Sequence, residues 1–443
     1  MLSLCVTDPT VWKNARESRI CQSHASCQSC YIAGAAWLCS RQIVRDEPGN
    51  TPEHCLEIHR GKGSNRLHLY RFYGRVSECE SHALDSQAEI FYHISDLALN
   101  WFASYLKNRT QRVVVNGKCS EWCRVTSGTP EGGVISALLF ALYVNDLPRG
   151  ISSRVLLYAD DAKVYRKVTC RNDAQLLQQD LQKLVQWSKT WKLDLNASKC
   201  KSFTMTLKTK PLTTNYIIGA TTLEHVDKIR DLGVILDTKL TFGAHVDQAV
   251  RKANCALGVL IRSFQKANPR GYLCVSSVLT SYNAHVRSNL EYCSVIWNGA
   301  ADTHTERIRR IEHKFLMWLN AHCRNTSASL SYGDLLKHFK LTSVYARRAQ
   351  QDIMFIRNIF KGRILSSFLL QSFSLSVPGR ATRQQPSMLI AVPFARVNTV
   401  KEGLFVRLPR QLNRFLESLP AVDMFTYSHY CFRSEVKLYA ASL

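Results

Sequence analysis

Two adjacent carboxylates, Asp160 and Asp161, stand between apolar runs, Val155-Leu-Leu-Tyr158 before them and Ala162-Lys-Val-Tyr165 after. Neighbouring acids repel each other unless a cation offsets the charge, and magnesium fits, because it takes hard oxygen ligands and bridges to substrate phosphates. On the dipeptide alone a solvated turn is the commoner origin, since Asp is frequent in turns. The flanks shift the balance: two buried strands closing at a tight apex hold a metal-binding pair rigidly. A second cluster, Cys21-x2-His24-x2-Cys27-x2-Cys30, has four zinc-type ligands. Zinc sites usually separate two close pairs by a longer loop, so these cysteines are read as reduced thiols and no zinc site is assigned.

The chain has 443 residues, 46% hydrophobic and 21% charged, which supports a buried core and excludes wholesale disorder. Lys and Arg number 58 against 34 Asp and Glu, a net +24. Such an excess points to a polyanionic partner, nucleic acid first and an anionic membrane surface second. It is uneven: residues 1–85 carry +1, residues 86–244 carry +7 and residues 245–443 carry +16. The longest apolar run, Val134 to Val144, is too short to span a membrane. Residues 1–12 lack the basic start and apolar stretch of a secretory signal. A soluble intracellular protein of cytoplasm or nucleus, not secreted, is expected, with its 16 cysteines reduced.

The elements that must position the acids are legible in the middle of the chain. Ser95 can cap a helix with Ala98, Trp101, Phe102, Tyr105 and Leu106 on its apolar side. Arg112 to Val115, Asn116-Gly117, then Lys118 to Val125 read as a hairpin with a two-residue turn. A Gly- and Pro-containing turn, Ser127 to Gly133, leads into an apolar helix ending near Asn145-Asp-Leu-Pro148. The second hairpin carries Ala159-Asp160-Asp161 at its apex. After it, residues 173–191 form an amphipathic helix with Leu177, Leu181, Leu184 and Val185 on one face. Beyond about residue 245 the pattern is largely helical, and Trp297 and Trp318 are expected in its core. Helices and strands alternate without parallel βαβ regularity, which predicts an α+β fold, a sheet backed by helices.

Tyr158-Ala-Asp-Asp161 is similar to the YxDD box of reverse transcriptases, and its surroundings resemble those of non-LTR, jockey-like retrotransposons in order and spacing. Trp101-Phe-Ala-Ser-Tyr-Leu-Lys-Asn-Arg109 and Arg112-Val-Val-Val-Asn-Gly117 resemble the approach to the family's motif B. Ser127-Gly-Thr-Pro-Glu-Gly-Gly-Val-Ile-Ser136 resembles motif B itself. Trp191-Lys-Leu-Asp-Leu-Asn-Ala-Ser-Lys-Cys200 looks like motif D, and Asp231-Leu-Gly-Val-Ile-Leu-Asp237 like the element after the palm. The resemblance covers residues 78–443. YxDD alone is weakly specific, whereas five segments in register are strong.

The resemblance implies a polymerase palm, an antiparallel sheet backed by helices, then a mainly helical thumb and connection, with the fingers largely missing and the N-terminal side truncated. Residues 1–77 are then an unassigned Cys-rich segment, 78–215 a partial palm, 216–345 a post-palm and thumb-like region, and 346–443 a basic C-terminal region. Asp160 and Asp161 would bind two magnesium ions, or manganese in their place, for nucleotidyl transfer onto a primer 3′-hydroxyl. Tyr158 would sit beside the substrate. Gly128, Pro130 and Gly132 would let the backbone approach the incoming nucleotide, a plain surface turn being the alternative. Lys199 would lie near the triphosphate, an exposed lysine being an equal alternative. The partners implied are an RNA template, a DNA primer or target and deoxynucleoside triphosphates, with no membrane. Arg and Lys beyond residue 245 would track the duplex backbone.

The family's third carboxylate, from motif A, has no counterpart: its position falls at Phe72, with Glu78 and His82 on the positions that follow. Glu78, Glu80 and Asp85 are acids nearby but out of register. In motif B, Glu131 replaces a glutamine and Gly133 a serine. The expectation is an RNA-directed DNA polymerase impaired by loss of motif A and the fingers. The alternatives are a non-catalytic, basic nucleic-acid-binding remnant, or a fragment that exposes apolar surface and aggregates.

Overall fold

The computed structural model describes residues 64–71 and 96–442, except 126–127, 131–132, 210, 213, 268–273, 300–301, 323–329, 377–388 and 397. The cluster of Cys21, His24, Cys27 and Cys30 lies outside the described residues, as do Phe72, Glu78, Glu80, His82, Asp85, Ser95, Glu131 and Gly132. Helix and small sheets are mixed, in two compact units that divide between Asp227 and Lys228.

In the N-terminal unit the strands are β1 (Ser64–Arg71), β2 (Arg109–Gln111), β3 (Val114–Val115), β4 (Lys118–Cys119) and β5 (Cys123–Val125). Then come β6 (Arg154–Tyr158), β7 (Asp161–Val168), β8 (Lys201–Met205), β9 (Ile217–Ile218), β10 (Thr221–Thr222) and β11 (Glu224–Val226). Its helices are α1 (Asp96–Leu106), α2 (Val134–Val144) and α3 (Arg171–Thr190). Five strands form one sheet in the order β11-β8-β1-β7-β6, antiparallel except between β8 and β11.

The period-two pleat decides what β7 does. Ala162, Val164 and Val168 enter a core with Leu139, Phe140 and Tyr143 of α2 and Leu177, Leu181 and Leu184 of α3. Each fully buried leucine there contributes about 2 kcal/mol of transfer free energy. Asp161, Lys163 and Tyr165 occupy the alternate positions, where burial pushes the Tyr165 phenol up against the opposing Arg154 charge. In α1 the buried part of the expected apolar stripe is Leu106, with Phe102 and Tyr105 packed against the core. Trp101 departs from expectation: it is 50% exposed and stacks on Tyr105, its centroid 5.7 Å away.

The C-terminal unit begins with a hairpin (Lys228–Asp231 and Val234–Asp237) and is then helical, as the pattern beyond residue 245 predicts. Its long helices are α4 (Gly243–Ala267), α5 (Val275–Tyr282), α6 (Asp302–His322), α7 (Val344–Phe360), α8 (Leu404–Ser418) and α9 (His429–Ser442). Trp297 is fully buried as expected, whereas Trp318 is only partly buried, and its buried indole N–H has no partner among the described residues.

Ion pairs run through this interior. Glu312 of α6, wholly buried, accepts from Arg287 at 2.7 Å, the Tyr332 hydroxyl at 2.5 Å and the Val344 amide at 3.0 Å. Asp352 of α7 accepts from Arg407 of α8 at 2.9 Å and from Asn298 at 2.6 Å. The Arg348 guanidinium lies 4.2 Å from the Trp297 ring centroid, and burial lowers its pKa to about 10. Among the described residues no helix is long and apolar enough to cross a membrane. Removing one partner of a buried pair strands a charge. Asp352→Ala is therefore expected to lower stability by about 3–5 kcal/mol, read as a fall in the urea midpoint by circular dichroism.

Candidate active site

The two acids lie at the closed end of the β6–β7 hairpin, whose two-residue turn is Ala159-Asp160. Tyr158 and Asp161 are paired across it, so Asp161 is the first residue of β7 and not part of the apex expected from the sequence. Tyr158, Asp160 and Asp161 are all half-buried. Ala159 holds φ at 50°. That left-handed conformation costs a residue with a Cβ about 1–2 kcal/mol, which the strands on either side must hold in place.

On its other edge β7 pairs with β1, and the backbone register sets Arg71 level with Asp161. The next residue, Phe72, lies outside the described residues. Among the described residues no group of three His, Cys, Asp or Glu side chains is placed to hold a metal ion, and Asp160 and Asp161 are two carboxylates adjacent in sequence at the hairpin end. Their hard oxygens suit magnesium or manganese and not a soft metal.

The hairpin enters the sheet over an anchored turn. Asp180, on the buried face of α3, accepts from the Ser152 amide at 3.0 Å, the Ser152 hydroxyl at 2.8 Å and the Ser153 amide at 2.7 Å. Lys183 and Arg166 lie 3.4 and 3.9 Å from its carboxylate. Burial works to raise its pKa, but the hydrogen bonds from Ser153 and Ser152 outweigh it and hold the carboxyl below the usual range. Sequence reading passed over Asp180. The signal was there: a charged residue at helical spacing among Leu177, Leu181 and Leu184 faces inward and needs a polar target.

The turn before α2 is tied by a second device that the sequence did not announce. Arg109 donates through Nε to the Leu106 carbonyl at 2.8 Å and through Nη2 to the Gly128 carbonyl. Gly128 holds φ at 78°, where glycine is at ease. Ser136 donates to the Pro130 carbonyl at 2.5 Å and lies 3.2 Å from the Tyr105 hydroxyl. A Cβ at Gly133 would come within 2.5 Å of that Tyr105 hydroxyl, so glycine at this position makes room for Tyr105.

The structure thus joins Tyr158, Asp160 and Asp161 in one hairpin. Gly128 and Pro130 sit at the turn into α2. Lys199 is exposed at the end of a 3-10 turn (Ala197–Lys199) leading into β8, which β1 separates from β7. Its amide donates to the Asn196 side chain at 3.2 Å.

Residues 84–236 match the family described as Reverse transcriptase (RNA-dependent DNA polymerase). The probable RNA-directed DNA polymerase from transposon X-element of Drosophila melanogaster is 27% identical over 384 residues, 80% of this chain and 41% of that protein. The RNA-directed DNA polymerase from mobile element jockey of Drosophila funebris is 29% identical over 48% of this chain and 24% of that protein. A corresponding protein from transposon BS of Drosophila melanogaster is 33% identical over 34% of this chain and 18% of that protein. The chain therefore spans about two fifths or less of the length of these relatives. Among solved structures, an apo telomerase from Candida tropicalis superposes at a TM-score of 0.38 with 11% identity, covering 77% of this chain and 55% of that one, too loose a likeness to fix the fold.

Asp180→Asn keeps the shape but loses the charge and one oxygen's bonds, and is expected to cost about 2–3 kcal/mol at neutral pH. A depressed carboxyl stabilises above its unfolded pKa and loses that contribution as pH falls through the folded value. Urea midpoints should therefore converge between variant and unmodified chain as the pH is taken into the acid range.

Proposed function

We propose that this chain, whose residues 84–236 belong to the reverse transcriptase family, is an RNA-directed DNA polymerase segment of a jockey-like non-LTR retrotransposon. The observation that carries the reading is the Asp160–Asp161 pair at the closed end of a hairpin whose strand β7 is hydrogen-bonded on both edges and backed by helices. Residues 78–215 are then the partial palm, 216–345 the post-palm and thumb-like region, and 346–443 the basic C-terminal region. An RNA template, a DNA primer or target and deoxynucleoside triphosphates are the substrates.

Asp160 and Asp161 would hold the two magnesium ions. When bound there, magnesium neutralises phosphate charge and favours ionisation of the primer 3′-hydroxyl. The remaining work falls to the chain itself. Tyr158 borders the pair; Gly128, Pro130 and Gly132 would let the backbone approach the incoming nucleotide; Lys199 would offer a cation to its triphosphate. Glu131, which stands in the sequence where the family has a glutamine, would repel phosphates unless a metal or a lysine offsets its charge.

One observation favours a weaker enzyme, or the second reading of a non-catalytic nucleic-acid-binding remnant. The strand flanking β7 ends at Arg71, and Phe72 stands at the position counted for the family's first aspartate. Neither residue can ligate magnesium.

Primer extension on an RNA template tests both readings. The expected result is weak, magnesium-dependent extension that chelation removes and that disappears in Asp160→Asn/Asp161→Asn. Phe72→Asp is expected to raise extension at least about tenfold, the scale of a single restored transition-state interaction. Extension that survives the double substitution would remove the acid pair from the mechanism. No extension in any variant, with salt-dependent duplex binding unchanged by the double substitution, would establish the non-catalytic remnant.

A further inference from the structure

Residues 109–125 form a continuous two-stranded ribbon. β2 and β5 pair Arg109 with Val125 and Gln111 with Cys123; β3 and β4 pair Val114 with Cys119 and Val115 with Lys118. Between the two ladders the Ser120 amide donates to the Val113 carbonyl at 2.9 Å, and the Val113 amide donates to the Ser120 hydroxyl at 2.9 Å. Asn116 and Gly117, at φ 49° and 79°, make the tight turn that this dipeptide favours.

Among the described residues nothing covers either face of the ribbon between Thr110 and Arg124. Val113, Val114 and Val115 are 65%, 57% and 61% exposed, although successive residues of a strand point to opposite faces. Trp122 is 62% exposed. A lone ribbon in water is marginally stable, and clustered exposed apolar side chains mark an interaction site. Its charges say with what. Arg109, Arg112, Lys118 and Arg124 stand against Glu121, and of these cations Arg112, Lys118 and Arg124 are exposed. The Arg112 guanidinium lies 4.6 Å from the Trp122 ring centroid. A guanidinium laid on an indole that stays mostly in water makes a flat, cationic stacking surface, with two further cations along the ribbon for phosphates.

We infer that this ribbon is a landing platform for single-stranded nucleic acid: an unpaired base stacks on Trp122 backed by Arg112, and Lys118 and Arg124 neutralise the adjoining phosphates. A single strand fits better than a duplex, because only an unpaired base can offer its face to a ring. The inference deepens the polymerase reading, on which it rests only for the strand's identity as template; the ribbon lies apart in sequence from Asp160 and Asp161.

The test is fluorescence anisotropy of the full chain with a labelled oligouridine, beside a duplex of equal length. Trp122→Ala is expected to weaken oligouridine binding about tenfold, the scale of one lost base stack, and to change duplex binding by less than about twofold. Trp122→Phe is expected to retain most of the affinity. Lys118→Gln/Arg124→Gln is expected to flatten the salt dependence by about two phosphate contacts. Because Trp122 is exposed, circular dichroism of the variants should match the unmodified chain. Oligouridine affinity within about twofold in Trp122→Ala would overturn the inference. So would a self-association that Trp122→Ala abolishes while oligouridine binding stands, which would make the ribbon a protein-docking edge. The Asp160→Asn/Asp161→Asn chain should bind oligouridine normally, so failure of the platform and failure of the polymerase reading give separate results.

Discussion

The N-terminal unit depends on one strand being hydrogen-bonded along both edges. β7 has β6 on one side and β1 on the other from Asp161 to Tyr165, so the end that carries the acid is fixed on both edges. Once that is so, the pleat leaves no freedom: Ala162, Val164 and Val168 must face α2 and α3, and Asp161 must emerge at the end of the strand. A register slip of one residue would turn Asp161 and Lys163 toward the apolar core and take Ala162 and Val164 out of it. The left-handed conformation of Ala159 is tolerable because both strands beside it are committed.

What could be read from the sequence follows the strength of local signals. The Asn116-Gly117 turn, the apolar helix Val134–Val144 and the leucine stripe of α3 were legible because each is a short-range pattern with one good solution. The edge partner of β7 was not. β1 lies about ninety residues earlier, and nothing in Ser64–Arg71 states which strand it joins. The acid pair was legible as an unusual dipeptide between apolar runs. Asp180 and Arg109 were not singled out, because their importance lies in carbonyls and amides distant in sequence, which side-chain patterns do not encode. Trp101 misled for the opposite reason: it keeps helical spacing with the buried residues, yet lies at the margin of the stripe.

The C-terminal unit qualifies the charge argument. Of the 27 basic residues from position 245 onward, Arg287, Arg348, Arg357 and Arg407 are 3% exposed or less. Arg287 and Arg407 neutralise Glu312 and Asp352, and Arg357 binds the carbonyls of Met424 and Tyr427. These cations are part of the interior. A count of formal charge overstates what a polyanion could meet on this unit, and the surface share belongs to exposed side chains such as Arg309 and Arg310.

That division separates two kinds of cation by their response to ionic strength. Mobile ions screen exposed charges over roughly 10 Å at 0.1 M salt but reach buried pairs poorly. Added salt should therefore strip polyanions from the outer arginines while the Arg287–Glu312 and Arg407–Asp352 pairs stay intact. Salt that lifts a polyanion from this surface leaves the helices packed, so adhesion and architecture, though built from one residue type, are governed by different regimes of the same solvent.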